Sequence, residues 1–361
     1  MNKIALFIAI FSSFSLFAQV YGEMEINLKS TDIAANDVKA PEGITISPEG
    51  TLYTTSMITG KIYFVRPNSK KLELAIDLAK FKSWETNSLA LGIIAESEDQ
   101  LWVGVTNVKG GCIVSLRRKL EAFKAKTVLC GAGDVNGFVI DKFNKVLYAS
   151  SRVPGLSTDG MIMKIALEDL KKAADTNSEL QYDEEKHELI KADMPNGIVL
   201  SRSRTKLLFS QTMKDTVSIV DLVTKKVKVI FESKQDGWLD GLVYLSSHKM
   251  YAVSDSKLGR IHFFDESGID IKSVLLNNHE GKLAGPASLV ISRGELYFTD
   301  AWTGSLVNKV LEQVTGDNSM VNYHQSIYKL SLSEILKFPE PSKLIIHEKP
   351  SKASLSPLFL Y

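Results

Sequence analysis

"MPNGIVLSRSRTKLLFS", residues 194–210, sets an Asn-Gly dipeptide, Asn196-Gly197, ahead of two short apolar runs separated by a polar link. Alone, the dipeptide is a turn signal and the runs are candidate strands. The layout recurs in "PEGITISPEGTLYTTS" from Pro41, "ALGIIAESEDQLWVGV" from Ala90, "VNGFVIDKFNKVLYASS" from Val135, "LDGLVYLSSHKMYAVSD" from Leu239 and "GPASLVISRGELYFTDA" from Gly285. Aligned on the small residue before each apolar tetrad, the anchors are Gly43, Gly92, Gly137, Gly197, Gly241 and Ala287, at intervals of 49, 45, 60, 44 and 46. That is the period of four-stranded propeller blades. Third strands ("KIYFV", "CIVSL", "MIMKI", "VSIVD", "RIHFF", "SIYKL") and fourth strands ("LELAI", "KTVLC", "HELIK", "KVKVI", "IKSVL", "KLIIH") follow at matching offsets.

The pattern predicts an all-β, six-bladed β-propeller over 23–348, with blades starting near 41, 89, 134, 194, 239 and 285. The long interval holds "LEDLKKAADTNSELQYDEEK", a helix-containing insertion in blade three that is either a solvated surface element or a lid. Either "MEINLK" or "KLIIH" could supply the outer strand that closes the ring. Residues 349–361 are expected to form a C-terminal tail.

The chain has 361 residues, a net charge of +1 and 44% hydrophobic residues, which excludes a disordered chain and argues against a nucleic-acid partner. "MNKIALFIAIFSSFSLFAQVYG", residues 1–22, has the layout of a secretory signal peptide: Lys3, an apolar run short for a membrane span, then small residues, the alternative being a retained anchor. The expectation is a secreted or periplasmic monomer with no membrane span in the mature chain. Cys112 and Cys130 fit that compartment. They open and close runs that would pair antiparallel, so a disulfide between them is expected.

The residues just before the anchors are Glu42, Leu91, Asn136, Asn196, Asp240 and Pro286. In a propeller these positions are related by rotation about the central channel and point toward one another. Two carboxylates and two amide oxygens, with no basic residue among the six, form a hard-oxygen cage suited to Ca²⁺, another divalent cation being the alternative. Zn²⁺ would call for His or Cys. The competing interpretation is structural: acids at strand ends and asparagines in turns.

The motifs "PEG" (Pro41–Gly43), "VNGFVID" (Val135–Asp141), "MPNG" (Met194–Gly197) and "LDGLV" (Leu239–Val243) resemble those of the SMP-30/gluconolactonase family, which is similar to the paraoxonase and diisopropylfluorophosphatase enzymes. The resemblance implies metal binding by Glu42, Asn196 and Asp240, with Asn136 as a further ligand or a substrate contact. It also implies a calcium-dependent lactonase or esterase acting on a lactone or small ester, with Asp240 as base or nucleophile. Where sugar-lactone members carry an Arg two residues before the blade-three Asn, this chain has Asp134. Where they carry a Glu after the next strand, it has Arg152. Both are candidate substrate-binding residues, and the departures put a sugar lactone in doubt. His279, in the loop ahead of blade six, is a further substrate-pocket candidate. Trp84, Trp102, Trp238 and Trp302 belong either to the pocket wall or to the core. The alternative function is a non-catalytic propeller, plugged by a structural metal, that binds a small molecule or a protein.

Overall fold

The computed structural model describes residues 24–28, 38–81, 88–107, 110–120, 122–152, 158–176, 178–278, 283–301 and 326–337. Residues 1–23 and 338–361 lie outside it, and with them the proposed signal peptide, "KLIIH" and the tail. The chain folds as a six-bladed β-propeller with mainly four-stranded blades. The inner strands are Pro41–Ile46, Leu89–Ser97, Asp134–Asp141, Pro195–Leu200, Leu239–Leu245 and Pro286–Ser292. Blade six shows three strands among the described residues, ending at Ser326–Ser331.

The strands of "TKLLFS" show why the apolar runs are continuous. Leu207 and Phe209 pack toward blade three, while Leu208 packs toward blade five. Successive side chains in a strand point to opposite faces, and here both faces are covered by a neighbouring blade. Among the described residues six core clusters fill the six blade interfaces, one of them joining Ile44, Tyr63 and Val65 of blade one to Ile327 of blade six, and a seventh, small cluster joins Ala40, Met57 and Leu91.

Two blades carry a fifth strand. Met24–Asn27 runs parallel to Asp270–Asn277 on blade five, so "MEINLK" does not complete blade six. Leu180–Gln181, from the blade-three insertion, runs parallel to Ala122–Cys130 on blade two. The helix Leu167–Asp175 in that insertion buries Leu167, Leu170 and Ala173 against blades two and three, an i, i+3, i+6 stripe that explains its docking. It packs against the outer strand of blade two, and none of its described residues lines the axial cavity described below. Cys112 and Cys130 are opposite one another on adjacent strands and are disulfide-bonded.

All six inner strands carry a β-bulge at the same place. In blade one Pro41 pairs with Ser56 and Ile44 with Thr54, so Glu42 and Gly43 together face Thr55. The bulges in the other blades fall at Leu91, Asn136, Asn196, Asp240 and Ala287. Bulges re-aim side chains, and these six are aimed at the axis. Blade six is shifted by one residue from the sequence alignment: Pro286 pairs as Leu239 does, so Ala287, and not Pro286, is the equivalent of Asp240.

The residue facing the bulge is a hydroxyl in five blades, and its side chain donates to the carbonyl of the bulge residue in the next blade. Thr55 reaches Leu91 O at 2.8 Å, Ser150 reaches Asn196 O at 2.5 Å and Ser210 reaches Asp240 O at 2.5 Å. Ser254 reaches Ala287 O at 2.5 Å, and Thr299 closes the circle on Glu42 O at 2.8 Å. Blade two has Gly104 there instead, where a Cβ would lie 2.0 Å from Val135 O. These carbonyls are buried, so each hydroxyl satisfies a group that would otherwise lack a partner.

Candidate metal centre and pocket

At the end of the propeller where the inner strands begin lies a cavity of about 260 Å³. Three registers of the repeat line it. The bulge residues Glu42, Leu91, Asn136, Asn196, Asp240 and Ala287 form its floor. Two residues earlier in the chain come Leu89, Asp134, Met194 and Trp238. Residues at or just past the end of the second strands, Met57, Arg152, Thr212, Ser256 and Ala301, complete the wall. The backbone pairs the last two registers: the amides of Met57, Thr212, Ser256 and Ala301 donate to the carbonyls of Ala40, Met194, Trp238 and Gly285 at 3.0–3.1 Å. Ala40 and Met194 adopt left-handed backbone (φ 48 and 43), an uncommon state for residues with a side chain that local bonding here sustains.

The structure thus brings together Glu42, Asp134, Asn136, Arg152, Asn196 and Asp240 around one cavity. His279, Trp84 and Trp302 lie outside the described residues. Trp238 lines the wall, whereas Trp102 is fully buried between blades two and three and donates to Glu96 Oε2 at 3.1 Å. Met57, Met194, Thr212 and Ser256 were not singled out from sequence. Their signal is the same repeat, read two residues before the bulge and at the end of the second strand.

Glu42 and Asp240 are both buried. Asn136 Nδ2 donates to Glu42 Oε1 at 3.3 Å, and Asn196 Nδ2 donates to Thr212 Oγ1 at 3.4 Å. Each donation leaves the amide oxygen of that asparagine free to turn toward a cation. Asp240 Oδ1 is buried with no hydrogen-bond partner among the described residues. Burial raises the pKa of Asp240 well above the carboxylate range; the nearby Glu42 charge raises it further, Arg152 opposes this, and Asp255 adds to it. Burial likewise raises Glu42, against the hydrogen bond from Asn136 and the charge of Arg152. Two buried carboxylates without a contacting cation are unfavourable unless protonated or neutralised.

Arg152 does not neutralise them by contact. It sits opposite Asp134 on the neighbouring strand, and its Nε donates to Asp134 Oδ2 at 3.0 Å. Asp134 also accepts from Thr106 Oγ1. Asp134 is therefore a buried, paired acid and not a solvated loop residue.

Among the described residues no three of His, Cys, Asp and Glu converge as a metal cluster. The donor set here is two carboxylates and two amides. Its hard-oxygen chemistry, and the orphaned Asp240 Oδ1, fit Ca²⁺ better than a metal that selects nitrogen or sulfur.

Regucalcin from Agrobacterium tumefaciens strain C58, a calcium-binding protein, superposes with a TM-score of 0.58 at 12% identity, over 86% of this chain and 95% of that one. A gluconolactonase from Xanthomonas campestris gives 0.53 at 12% identity, over 73% and 84%. A luciferin-regenerating enzyme gives 0.57 at 16% identity, over 81% and 91%. In fold, the chain is a six-bladed β-propeller similar to these three. The family description "Strictosidine synthase-like, N-terminal" matches residues 28–65 of this propeller, the approach to blade one and most of that blade. No curated protein sequence matches it. Among the described residues no helix is long and apolar enough to cross a membrane.

Proposed function

We propose that the protein is a secreted or periplasmic, calcium-dependent hydrolase of a lactone or small ester. The observation that carries this is the buried pair Glu42 and Asp240, flanked by Asn136 and Asn196, on the floor of a cavity whose one lining cation among the described residues, Arg152, is engaged by Asp134. Glu42, Asn196 and Asp240, with Asn136, would hold the ion. A bound divalent cation supplies charge stabilisation for a developing oxyanion and lowers the pKa of water. Asp240, ionised when the ion is present, would take a proton from water or attack the acyl carbon itself. Met57, Leu89, Met194 and Trp238 offer an apolar wall for the body of the substrate, and Arg152 and Asn136 offer donors for its polar atoms.

The alternative, a structural metal plug in a non-catalytic propeller, does not by itself account for the apolar side chains that line the cavity over the carboxylates among the described residues. The deciding experiment measures bound Ca²⁺ in the purified mature chain, then hydrolysis of lactones and aryl esters with and without chelator. Bound metal with chelator-sensitive hydrolysis that Asp240→Ala abolishes is the expected result. Unchanged metal content and activity in Asp240→Ala overturn the mechanism, and a wild type without metal overturns the site.

A further inference from the structure

The hairpins joining first to second and third to fourth strands lie at the end of the propeller opposite the cavity. This follows from topology: the cavity residues begin the inner strands, and the first to fourth strands of each blade, as far as they are described, run antiparallel. The four most exposed large apolar side chains among the described residues project from these hairpins. They are Leu120 at 96%, Val223 at 84%, Phe143 at 75% and Ile269 at 63%, each on a different blade. Three sit on ordered turns. Asp141 Oδ1 accepts from the Phe143 amide at 3.0 Å, Asp221 Oδ1 from the Val223 amide at 3.1 Å and Asp265 Oδ1 from the Ile269 amide at 2.9 Å. The turns hold these side chains out into water.

Five hairpins at this end close on a basic residue, although the Ile269 hairpin, residues 265–270, carries three acids and no base. Their closing residue adopts left-handed backbone, where Gly or Asn is least strained. Here Lys145, Arg204, Lys225, Lys249 and Arg293 occupy it, with φ between 51 and 57. The two hairpins of blade four, "SRSRT" (201–205) and "DLVTKK" (221–226), hold Arg202, Arg204, Lys225 and Lys226 against one acid, Asp221. Arg204 lies over the Phe143 ring at 4.7 Å, which puts charge and apolar surface side by side.

We propose that this end of the propeller docks onto a lipid bilayer carrying anionic headgroups. A protein partner buries a contiguous apolar centre, whereas these four side chains stand apart on separate blades. The headgroup–acyl boundary closes around each projecting side chain separately while Lys and Arg meet the phosphates. A soluble polyanion would engage the basic residues and leave the apolar ones in water. Docked this way, the protein keeps its cavity turned to solvent, so the inference does not depend on what the cavity does.

The test is co-sedimentation of the purified chain with vesicles of phosphatidylcholine alone and of equimolar phosphatidylcholine and phosphatidylglycerol. Binding to the mixed vesicles only, weakening with added salt, is expected. Arg202→Glu with Lys225→Glu should lower affinity at least about tenfold, given roughly fivefold per basic residue at an anionic surface. Phe143→Ser with Val223→Ser should lower it by about tenfold or more at unchanged charge. Both pairs are exposed and outside the core, and a wild-type thermal melt verifies folding; Leu120→Ser with Ile269→Ser replaces a pair that melts early. Failure to bind the mixed vesicles overturns the proposal. So does binding that the apolar substitutions leave unchanged, which would assign the face to a polyanion instead.

Discussion

Thr299 Oγ1 donates to the main-chain carbonyl of Glu42 at 2.8 Å, across 257 positions of sequence, and so ties the last blade to the first at the residue that faces the cavity. The same hydroxyl accepts from the Ser288 amide at 3.2 Å. Thr299→Val keeps the shape and removes both partnerships. The expected loss is about 1–3 kcal/mol of unfolding free energy, read by urea denaturation, because two buried backbone groups are left unsatisfied. Ca²⁺ affinity, read by titration calorimetry, should fall too, since Glu42 is held by this bond.

The pH dependence of the metal-free protein has a definite sign. Asp240 and Glu42, ordinarily near 3.8 and 4.5, are both raised by burial, so the folded state holds more protons than the unfolded one. Their contribution is most favourable below the ordinary carboxylate values and is lost as pH rises through the raised ones. In chelator, Tm should fall across that window, and Asp240→Asn should flatten the fall. Added Ca²⁺ should raise Tm more near neutral pH than near pH about 5, because binding needs the ionised pair.

Gly197, in the stretch that sets the register, has no room for a side chain. A Cβ there would lie 2.4 Å from Asp240 O and 2.5 Å from Leu242 N, both backbone atoms of blade five. Gly197→Ala should destabilise by about 3 kcal/mol by prising blades four and five apart. Thermal denaturation by circular dichroism checks this, and a variant as stable as the wild type would contradict the packing.

The disulfide closes a loop of sequence separation 18 within blade two. Cys112→Ser with Cys130→Ser should lower unfolding free energy by about 3 kcal/mol. The wild type in reductant should match the double variant in its denaturant midpoint.

The sequence by itself determined the blade count, the strand order and the disulfide pairing. A repeat registers the same residue types at the same offset six times, and the short apolar runs, covered by neighbours on both faces, leave one architecture that buries them all. It also placed Glu42, Asn136, Asn196 and Asp240 in one register. Three matters were decided only by tertiary structure. Blade six slips by one, because its bulge falls at Ala287 after Pro286, and Ser288 stands where the other five blades have the Gly that marks it. The N-terminal strand pairs with blade five, since a four-residue strand has no register until an open edge is built for it. Asp134 and Arg152 engage each other across a strand pair, so the cation nearest the carboxylates is already committed and the charge of Glu42 and Asp240 is left to be met by something else. Side-chain pairing depends on distances that a one-dimensional pattern does not contain.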